Sequence, residues 1–172
     1  MNRKSTFCVA TILFVMLFSV NHLAAEDTAS TKEHIAALKA KCSQTSAERA
    51  ARNEQTPLYE RLGGYDKIHA LTKEIVRLHL QNDEIKHLFE GVDADLLAKH
   101  VADFVAAGTG GSEEYTGRPM PTAHAHLKLT DADFLSAGHD IVTAMQSMGY
   151  GQNEIDEILC ILMSLKDQVV LH

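Results

Sequence analysis

Two histidines one residue apart are the first candidates for chemistry in this chain. They are His124 and His126, in the stretch "YTGRPMPTAHAHLKLTDADF". Pro121 suits the first turn of a short helix that begins after Met120. A histidine on such a helix can present one ring nitrogen to a metal while its other nitrogen donates to a backbone carbonyl. The residues along one side of this helix would be Met120, His124 and Leu127, with His126 on another side.

The number of ligands near these histidines limits which metal they suit. A protein-bound zinc ion takes about four ligands, and "HAH" lacks a third and a fourth nearby. Iron held in a haem needs fewer ligands from the protein, because the macrocycle supplies the in-plane nitrogens. The stretch therefore favours haem iron over a free zinc ion.

His100, in "LLAKHVADF", is a further candidate. On a helix it shares a face with apolar residues at spacings of three and four: Leu96, Leu97, Val101 and Phe104. A histidine in this setting is more often satisfied by a neighbouring polar group than used as a ligand, so both interpretations stay open here. The histidines with charged or polar neighbours are predicted to be solvated: His34, His69 and His87.

The elements that must position these histidines are helices. After Pro57 apolar residues recur at spacings of three and four, and alternating runs of strand type are absent. We predict a short helix in "PLYERLGG", an amphipathic helix to about Leu80, and a helix in "DADLLAKHVADFVAAGTGG" that stops at Gly110-Gly111. Two long helices follow, whose starts resemble N-caps formed by Thr130 with Asp133 and by Asn153 with Asp156.

Two kinds of all-α domain fit this pattern. The chain has no tryptophan and few aromatic residues, but it has long apolar helix faces and several double glycines. One interpretation is a plain helical bundle whose core consists of Leu, Ile, Val and Met. The other is a bundle built around a flat prosthetic group, with the glycines letting shortened helices turn tightly about it.

The chain begins with the layout of a secretory signal peptide. Arg3 and Lys4 precede an apolar run from about Phe7 to Val20, and small residues follow. The run is short for a membrane-spanning helix, which needs roughly 20 residues. We expect cleavage near Ala25 and export, in a bacterium to the periplasm, with an uncleaved membrane anchor as the alternative.

We predict three segments: a signal peptide or anchor over 1–25, a polar leader over 26–57 that is helical or flexible, and a domain over 58–172. Removing Arg3 and Lys4 leaves 14 of the 16 basic residues, and 14 − 23 gives a net charge of −9. A surface this negative repels phosphate backbones, so we expect no nucleic-acid partner.

Cysteine usage agrees with export. Cys8 lies in the apolar run, which leaves Cys42 and Cys160 in the mature chain. In an oxidising compartment such a pair can form a disulfide. The alternative is a buried thiol at Cys160 and an exposed thiol at Cys42, and the Cα separation decides between the two.

From Leu58 to about Val170 the chain resembles the group I truncated haemoglobins, small haem proteins built as a two-over-two helical sandwich. The resemblance rests on "LYERLGG", the phenylalanine of "IKHLFEG", the Gly110-Gly111 pair, "YTGRPM", the histidine four residues after that methionine, and "LTDADF". These motifs keep the order and spacing of the family. The resemblance implies an all-α truncated globin domain over 58–172 that binds haem b, iron protoporphyrin IX.

The resemblance also implies a set of site residues. His124 falls at the family's proximal iron ligand, whereas His126 does not, and Phe89 matches the phenylalanine that packs against the haem face. The matching positions in the loop before the proximal helix are Tyr115, Gly117 and Met120. The other positions assigned to the haem pocket are Leu97, Val101, Phe104, Leu127, Phe134, Ala137, Ile141 and Leu162.

The distal side departs from the commonest family pattern. Many members have "FY" in the second helix, where the tyrosine donates a hydrogen bond to bound dioxygen, but this chain has Ile75 and Val76. Leu97 and Val101 occupy positions that often carry glutamine or another polar group. His100 matches the position at which some members, including cyanobacterial ones, use a histidine as a sixth iron ligand. The alternative is a histidine at the pocket rim, held by a haem propionate or by water.

The resemblance implies binding of a small diatomic ligand, namely dioxygen, nitric oxide or carbon monoxide, at haem iron held by His124, including an oxygen-carrier activity. The alternative is an exported redox protein for nitric oxide detoxification, peroxide reduction or electron transfer, the last favoured by ligation from two histidines. A third interpretation is a cofactor-free helical interaction module with the leader as its docking segment. An exported haemoglobin would also need a reductant outside the cytoplasm.

Overall fold

The computed structural model describes residues 28–171, and within this part of the chain the fold is helical throughout, with no strand. Two one-turn 3-10 helices, Lys86–Phe89 and Ala125–Leu127, join the longer elements. The all-α fold predicted from apolar periodicity is confirmed. The α-helices are α1 (Ala29–Gln44), α2 (Ser46–Gln55), α3 (Leu58–Arg61), α4 (Gly64–His79), α5 (Ala94–Thr109), α6 (Met120–His124), α7 (Asp131–Ser147) and α8 (Gln152–Val169).

Four long helices form a two-over-two sandwich. Helix α4 packs along α5 to make one pair, α7 packs against α8 to make the other, and α4 also contacts α7. The core lies between the pairs because apolar residues of α4 recur at spacings of three and four and face inward together. Fully buried side chains of this core include Leu62, Ile68 and Met145.

Most helix boundaries follow local capping chemistry. The Thr130 hydroxyl accepts from the Asp133 amide at 3.1 Å, and the Asp133 carboxylate accepts from the Thr130 amide at 2.9 Å, which is the predicted capping box. Helix α5 ends where Gly110 adopts φ 105°, a left-handed conformation that favours glycine. Helix α6 begins at Met120, one residue earlier than predicted, with Pro121 in its first turn.

The predicted start of α8 is wrong. The N-cap is Gly151 and the helix begins at Gln152, so Asn153 lies inside the first turn instead of capping it. Gly151 has extended backbone angles, φ −74° and ψ 162°, and its carbonyl accepts from the Ile155 amide at 3.2 Å. A glycine serves as an N-cap without a side-chain bond, and for this reason the more obvious asparagine signal was misleading.

The leader is helical over its described part and packs on the sandwich. Helix α1 lies against α7 and α8. A disulfide joins Cys42 of α1 to Cys160 of α8 with a Cα separation of 5.4 Å, so of the two interpretations left open by the sequence the structure contains the bridge. The bond links positions 118 residues apart and makes the leader part of the folded unit.

A buried carboxylate holds α2 against α8. Glu157, with 2 % of its surface exposed, accepts from Arg52 Nε at 2.9 Å, Asn53 Nδ2 at 2.8 Å and Arg61 Nη2 at 2.6 Å. Burial alone raises the pKa of Glu157, but the hydrogen bonds from Arg61, Arg52 and Asn53 outweigh it and hold the pKa below its ordinary value. The carboxylate therefore stays charged, and the leader and the sandwich share one ionic cluster.

The predicted signal peptide, its cleavage position near Ala25 and Cys8 lie outside the described residues. Over residues 28–171 no helix combines the length and the apolar character that crossing a membrane requires.

Candidate functional site

His124 stands at the carboxyl end of α6 with one ring nitrogen already engaged. Its Nδ1 lies 2.8 Å from the main-chain oxygen of Met120. A carbonyl oxygen only accepts, so Nδ1 carries the proton and Nε2 keeps the lone pair that a metal needs. This is the arrangement in which a backbone carbonyl orients a metal-binding histidine. This hydrogen bond spans the four-residue spacing between Met120 and His124 that is visible in the sequence.

The loop before α6 is folded tightly around an aromatic contact. The Tyr115 ring meets the Phe104 ring edge-on, with centroids 5.2 Å apart and planes at 76°. The Tyr115 hydroxyl donates to the Arg118 carbonyl at 2.8 Å. A Cβ at Gly117 would lie 2.4 Å from the Tyr115 ring, so only glycine fits at this point of the loop. The structure thus brings together three of the predicted site residues, Phe104, Tyr115 and Gly117.

Phe89 ends the 3-10 helix between α4 and α5, and its ring stacks on a histidine that the sequence analysis did not single out as a functional residue. The centroids of Phe89 and His79 are 5.3 Å apart and the rings are inclined by 24°. His79 is 8 % exposed, and its Nδ1 lies 2.9 Å from Oδ2 of Asp140 on α7. Burial lowers the pKa of His79 despite the opposing effect of Asp140, so the ring is neutral and its Nδ1–H donates. The sequence signal was a histidine four residues after Ile75 on an apolar face.

The positions that the family resemblance places on the distal side are apolar except for His100. Ile75 and Val76 are buried, and Leu97 is half-buried. His100 is also half-buried, and its Nδ1 is buried without a hydrogen-bond partner among the described residues. A polar atom left in this state is costly unless something else satisfies it. The interpretation of His100 as a histidine satisfied by a neighbouring polar group is therefore not supported at this nitrogen.

Leu96 corrects the predicted face of α5. It is 52 % exposed, so it does not belong to the buried stripe that the spacing from His100 predicted. Leu96 lies in the first turn of α5, which begins at Ala94, whereas the buried residues of this helix begin at Ala98. Spacing shows which side of a helix a residue occupies but not how far along the helix the neighbouring elements reach.

A charged network lies one turn beyond His100. Asp103, buried on α5, accepts from the Tyr65 hydroxyl and from Lys99 Nζ, each at 2.6 Å. Burial raises the pKa of Asp103, but the hydrogen bonds from Lys99 and Tyr65 outweigh this effect, so the pKa is lowered. The bond to Asp103 raises the pKa of Tyr65 to about 12. The network places a fixed negative charge on the helix that carries His100.

The predicted exposure of the remaining histidines is correct for two of three. His34 and His87 are exposed. His69, however, is half-buried, its ring stacks on Tyr65 at 5.9 Å, and its Nε2 is buried without a hydrogen-bond partner among the described residues. Its prediction as a solvated side chain is wrong, and the sequence could have shown one reason, because Tyr65 lies one turn earlier on α4 and stacks on the ring.

The residues assigned to the haem pocket are similar in how far they are buried. All thirteen are half-buried, neither part of the closed core nor open to solvent. Apolar side chains in this state offer a surface that a flat apolar group can cover. The full set is Phe89, Leu97, His100, Val101, Phe104, Tyr115, Met120, His124, Leu127, Phe134, Ala137, Ile141 and Leu162.

The donor set fits haem iron better than a free metal ion. Over residues 28–171 no group of three or more His, Cys, Asp or Glu side chains comes together to hold a metal ion. Haem iron needs only axial ligands, and His124 with its available Nε2 meets that need. The unpartnered Nδ1 of His100 and the half-buried apolar side chains also fit such a group.

A histidine oriented in this way, on a short helix beside a two-over-two sandwich, places the protein in the class of small globin-type haem proteins. The family model for bacterial-like globins matches residues 57–171, and the chain belongs to that family. Membership supports haem-based binding of a small gaseous ligand as the activity.

Proteins similar in sequence to this chain include group 1 truncated haemoglobins, in line with the predicted resemblance. A group 1 truncated haemoglobin of Synechocystis sp. PCC 6803 is 31 % identical over 108 residues, covering 60 % of this chain and 87 % of that protein. A group 1 truncated haemoglobin of Tetrahymena thermophila is 27 % identical over 104 residues, covering 60 % of this chain and 86 % of that protein.

Solved structures show the same fold. The 2/2 haemoglobin of Synechococcus sp. PCC 7002, in the cyanomet state with covalently attached haem, superposes with a TM-score of 0.63 at 27 % identity, covering 67 % of this chain and 98 % of that one. The truncated haemoglobin of Tetrahymena pyriformis superposes with a TM-score of 0.65 at 23 % identity, covering 68 % of this chain and 100 % of that one. The predicted two-over-two globin fold is confirmed.

Proposed function

We propose that this protein would hold haem b through Nε2 of His124 and that the bound haem would take up a small diatomic ligand, such as dioxygen, nitric oxide or carbon monoxide. The observation that carries the proposal is the 2.8 Å bond from His124 Nδ1 to the Met120 carbonyl, which leaves Nε2 available. When bound, haem supplies the iron to which such a gas coordinates. The half-buried apolar positions would hold the macrocycle and exclude water.

The distal residues would determine how a bound gas is held. Val76 and Ile75 have no hydrogen-bond donor, so they contribute only an apolar wall. Among the positions that the resemblance places on the distal side, His100 carries a hydrogen-bond donor, and we propose that it either ligates the iron when no gas is present or swings aside and donates to the gas. One such hydrogen bond contributes on the order of 1 kcal/mol, about five- to tenfold in affinity.

We also propose that residues 1–25 are a signal peptide, that 26–57 are a leader, that 58–172 are the globin domain, and that the protein works in the bacterial periplasm. The Cys42–Cys160 bridge supports export, because disulfides persist mainly in oxidising compartments. A reductant in the same compartment would then return ferric iron to the ferrous state.

Carbon monoxide tests the gas-binding proposal directly. Purified protein loaded with haem and reduced with dithionite is expected to change its visible spectrum on addition of carbon monoxide, because the gas coordinates ferrous iron opposite His124. The measurement is the difference spectrum before and after the gas. A reduced protein whose spectrum stays the same under carbon monoxide would rule out gas binding at this site.

The substitution His100→Leu tests the sixth-ligand proposal. We expect ferric wild-type protein to show the sharp bands of low-spin, six-coordinate iron, and the variant to show high-spin bands, because leucine cannot coordinate iron. His69→Leu is the matched control, since His69 is also half-buried with an unpartnered nitrogen but lies on α4. If the wild type and His69→Leu showed low-spin bands and His100→Leu did not, the result would favour the electron-transfer alternative. High-spin bands in all three proteins would leave His124 as the single protein ligand.

A further inference from the structure

A short segment between α4 and α5 carries Phe89, and the hydrogen bonds of one asparagine hold it in place. The Asn82 carbonyl accepts from the Lys86 amide at 2.8 Å, and its side-chain Oδ1 accepts from the Glu84 amide at 3.0 Å. The Nδ2 group of Asn82 donates at 3.0 Å both to Ser136 Oγ and to Asp140 Oδ2 on α7. Asn82 thus shapes the segment through its carbonyl and Oδ1, and its Nδ2 group anchors the segment to α7.

His79 makes the second connection between Phe89 and α7. Its ring stacks on Phe89 at a centroid distance of 5.3 Å, while its Nδ1 donates to the same Asp140 Oδ2 atom, at 2.9 Å. His79 and Asp140 are 8 % and 7 % exposed. A buried polar network with its partners present is rigid, because displacing any member leaves another member unpaired. The Phe89 ring therefore packs against the His79 ring, and the hydrogen bond to Asp140 fixes the orientation of the His79 ring.

Asp140 lies on α7 between two residues assigned to the haem pocket. Ala137 is three residues before it and Ile141 directly follows it. The network consequently connects the segment that carries Phe89 to the helix that carries two other pocket positions. If the segment that carries Phe89 moved relative to α7, the hydrogen bonds to Asp140 would have to break.

We propose that His79 is a positioning residue for the haem: held by Asp140, it fixes the Phe89 ring at the haem face and sets how firmly the haem is retained. This inference rests on the proposed binding of haem at His124. His79 acts through Phe89 and has no role as an iron ligand.

The test is the rate at which ferric haem leaves the full-length protein for an excess of a haem-accepting apoprotein. His79→Gln removes the ring, and we expect loss of haem up to about tenfold faster, the scale that the interaction of a stacked aromatic pair supports. His69→Gln, on the same helix and stacked on Tyr65 instead of Phe89, is the matched control and should lose haem at the wild-type rate.

A double-mutant cycle distinguishes positioning from a general loss of stability. If His79 acts through Phe89, then His79→Gln should add little to the effect of Phe89→Ala on the rate of haem loss. Effects that multiply independently would overturn the proposal. So would a wild-type rate in His79→Gln when the control behaves as expected.

Asp140 gives a second route if His79→Gln folds poorly. Asp140→Leu removes the acceptor and should speed haem loss, whereas Asp140→Asn keeps an accepting oxygen and should restore retention. Amide hydrogen exchange of residues 82–92 in the haem-free protein should be faster in Asp140→Leu than in Asp140→Asn, and equal exchange in the two would contradict the proposal. Failure of the wild-type protein to bind haem, or undiminished haem binding in the double variant that lacks both His124 and His100, would instead refute the proposed function.

Discussion

Replacing His124 by alanine is expected to abolish stable haem binding. The half-buried apolar positions can still contact the macrocycle, but the iron loses the ligand whose geometry the Met120 carbonyl sets. We expect affinity for haem to fall by more than the roughly 100-fold that can follow loss of an outer partner of a metal ligand. The measurement is a titration of apoprotein with haem, followed by the intense near-ultraviolet absorption band of the bound group.

The control for this experiment is the neighbouring histidine. His126→Ala should bind haem as the wild type does, because His126 is exposed and lies on the 3-10 helix after α6. His124→Gly with imidazole added to the solution should recover part of the binding, since free imidazole can replace the missing ring. The assignment would be reversed if His126→Ala lost haem and His124→Ala kept it.

A further variant covers the possibility that the iron changes partner. In His124→Ala the haem could stay on His100, whose Nδ1 is buried and unpartnered. The double variant His124→Ala/His100→Leu removes both candidate iron ligands. It should bind no more haem than a protein that has no side chain able to coordinate the iron. Residual binding in the single variant that disappears in the double variant would identify His100 as an iron ligand by a second method.

Local patterns were sufficient to predict the helices, whereas the two-over-two arrangement followed from the family resemblance. Helices α4, α5 and α7 follow from apolar spacing together with the capping box at Thr130 and the glycine at position 110, and each signal spans only a few residues. His124 could be selected over His126 because the helical spacing from Met120 and the family motif agree. The capping box, the glycine helix end and the hydrogen bond from His124 to Met120 all join residues that are close in sequence.

Interactions between distant residues could not be predicted in this way. The pairing of His79 with Asp140 spans 61 positions and joins two different helices. Periodicity shows which face of a helix is apolar, but it does not identify the polar partner that a neighbouring helix supplies. The Cys42–Cys160 bridge belongs to the same group, because the sequence contains the two residues but not their separation.

Removing the disulfide is expected to cost a large part of the free energy of unfolding. The bond closes a loop across 118 positions, and the chain-entropy model assigns roughly 4 to 5 kcal/mol to a loop of this size. Urea denaturation of wild type, Cys42→Ser, Cys160→Ser and the double variant measures the change. Either single variant should lose as much stability as the double variant, because each already removes the whole bond.

The location of the loss can also be predicted. Without the bridge α1 keeps no buried residue of its own, whereas α2 is still held by Glu157 with Arg52 and Asn53. Amide exchange should therefore accelerate most in α1 and least in α4 and α5, and the haem spectrum at room temperature should be unchanged. Equal stability in all four proteins would mean that the bridge does not constrain the unfolded chain. A changed haem spectrum would instead show that α1 supports the haem pocket through α8.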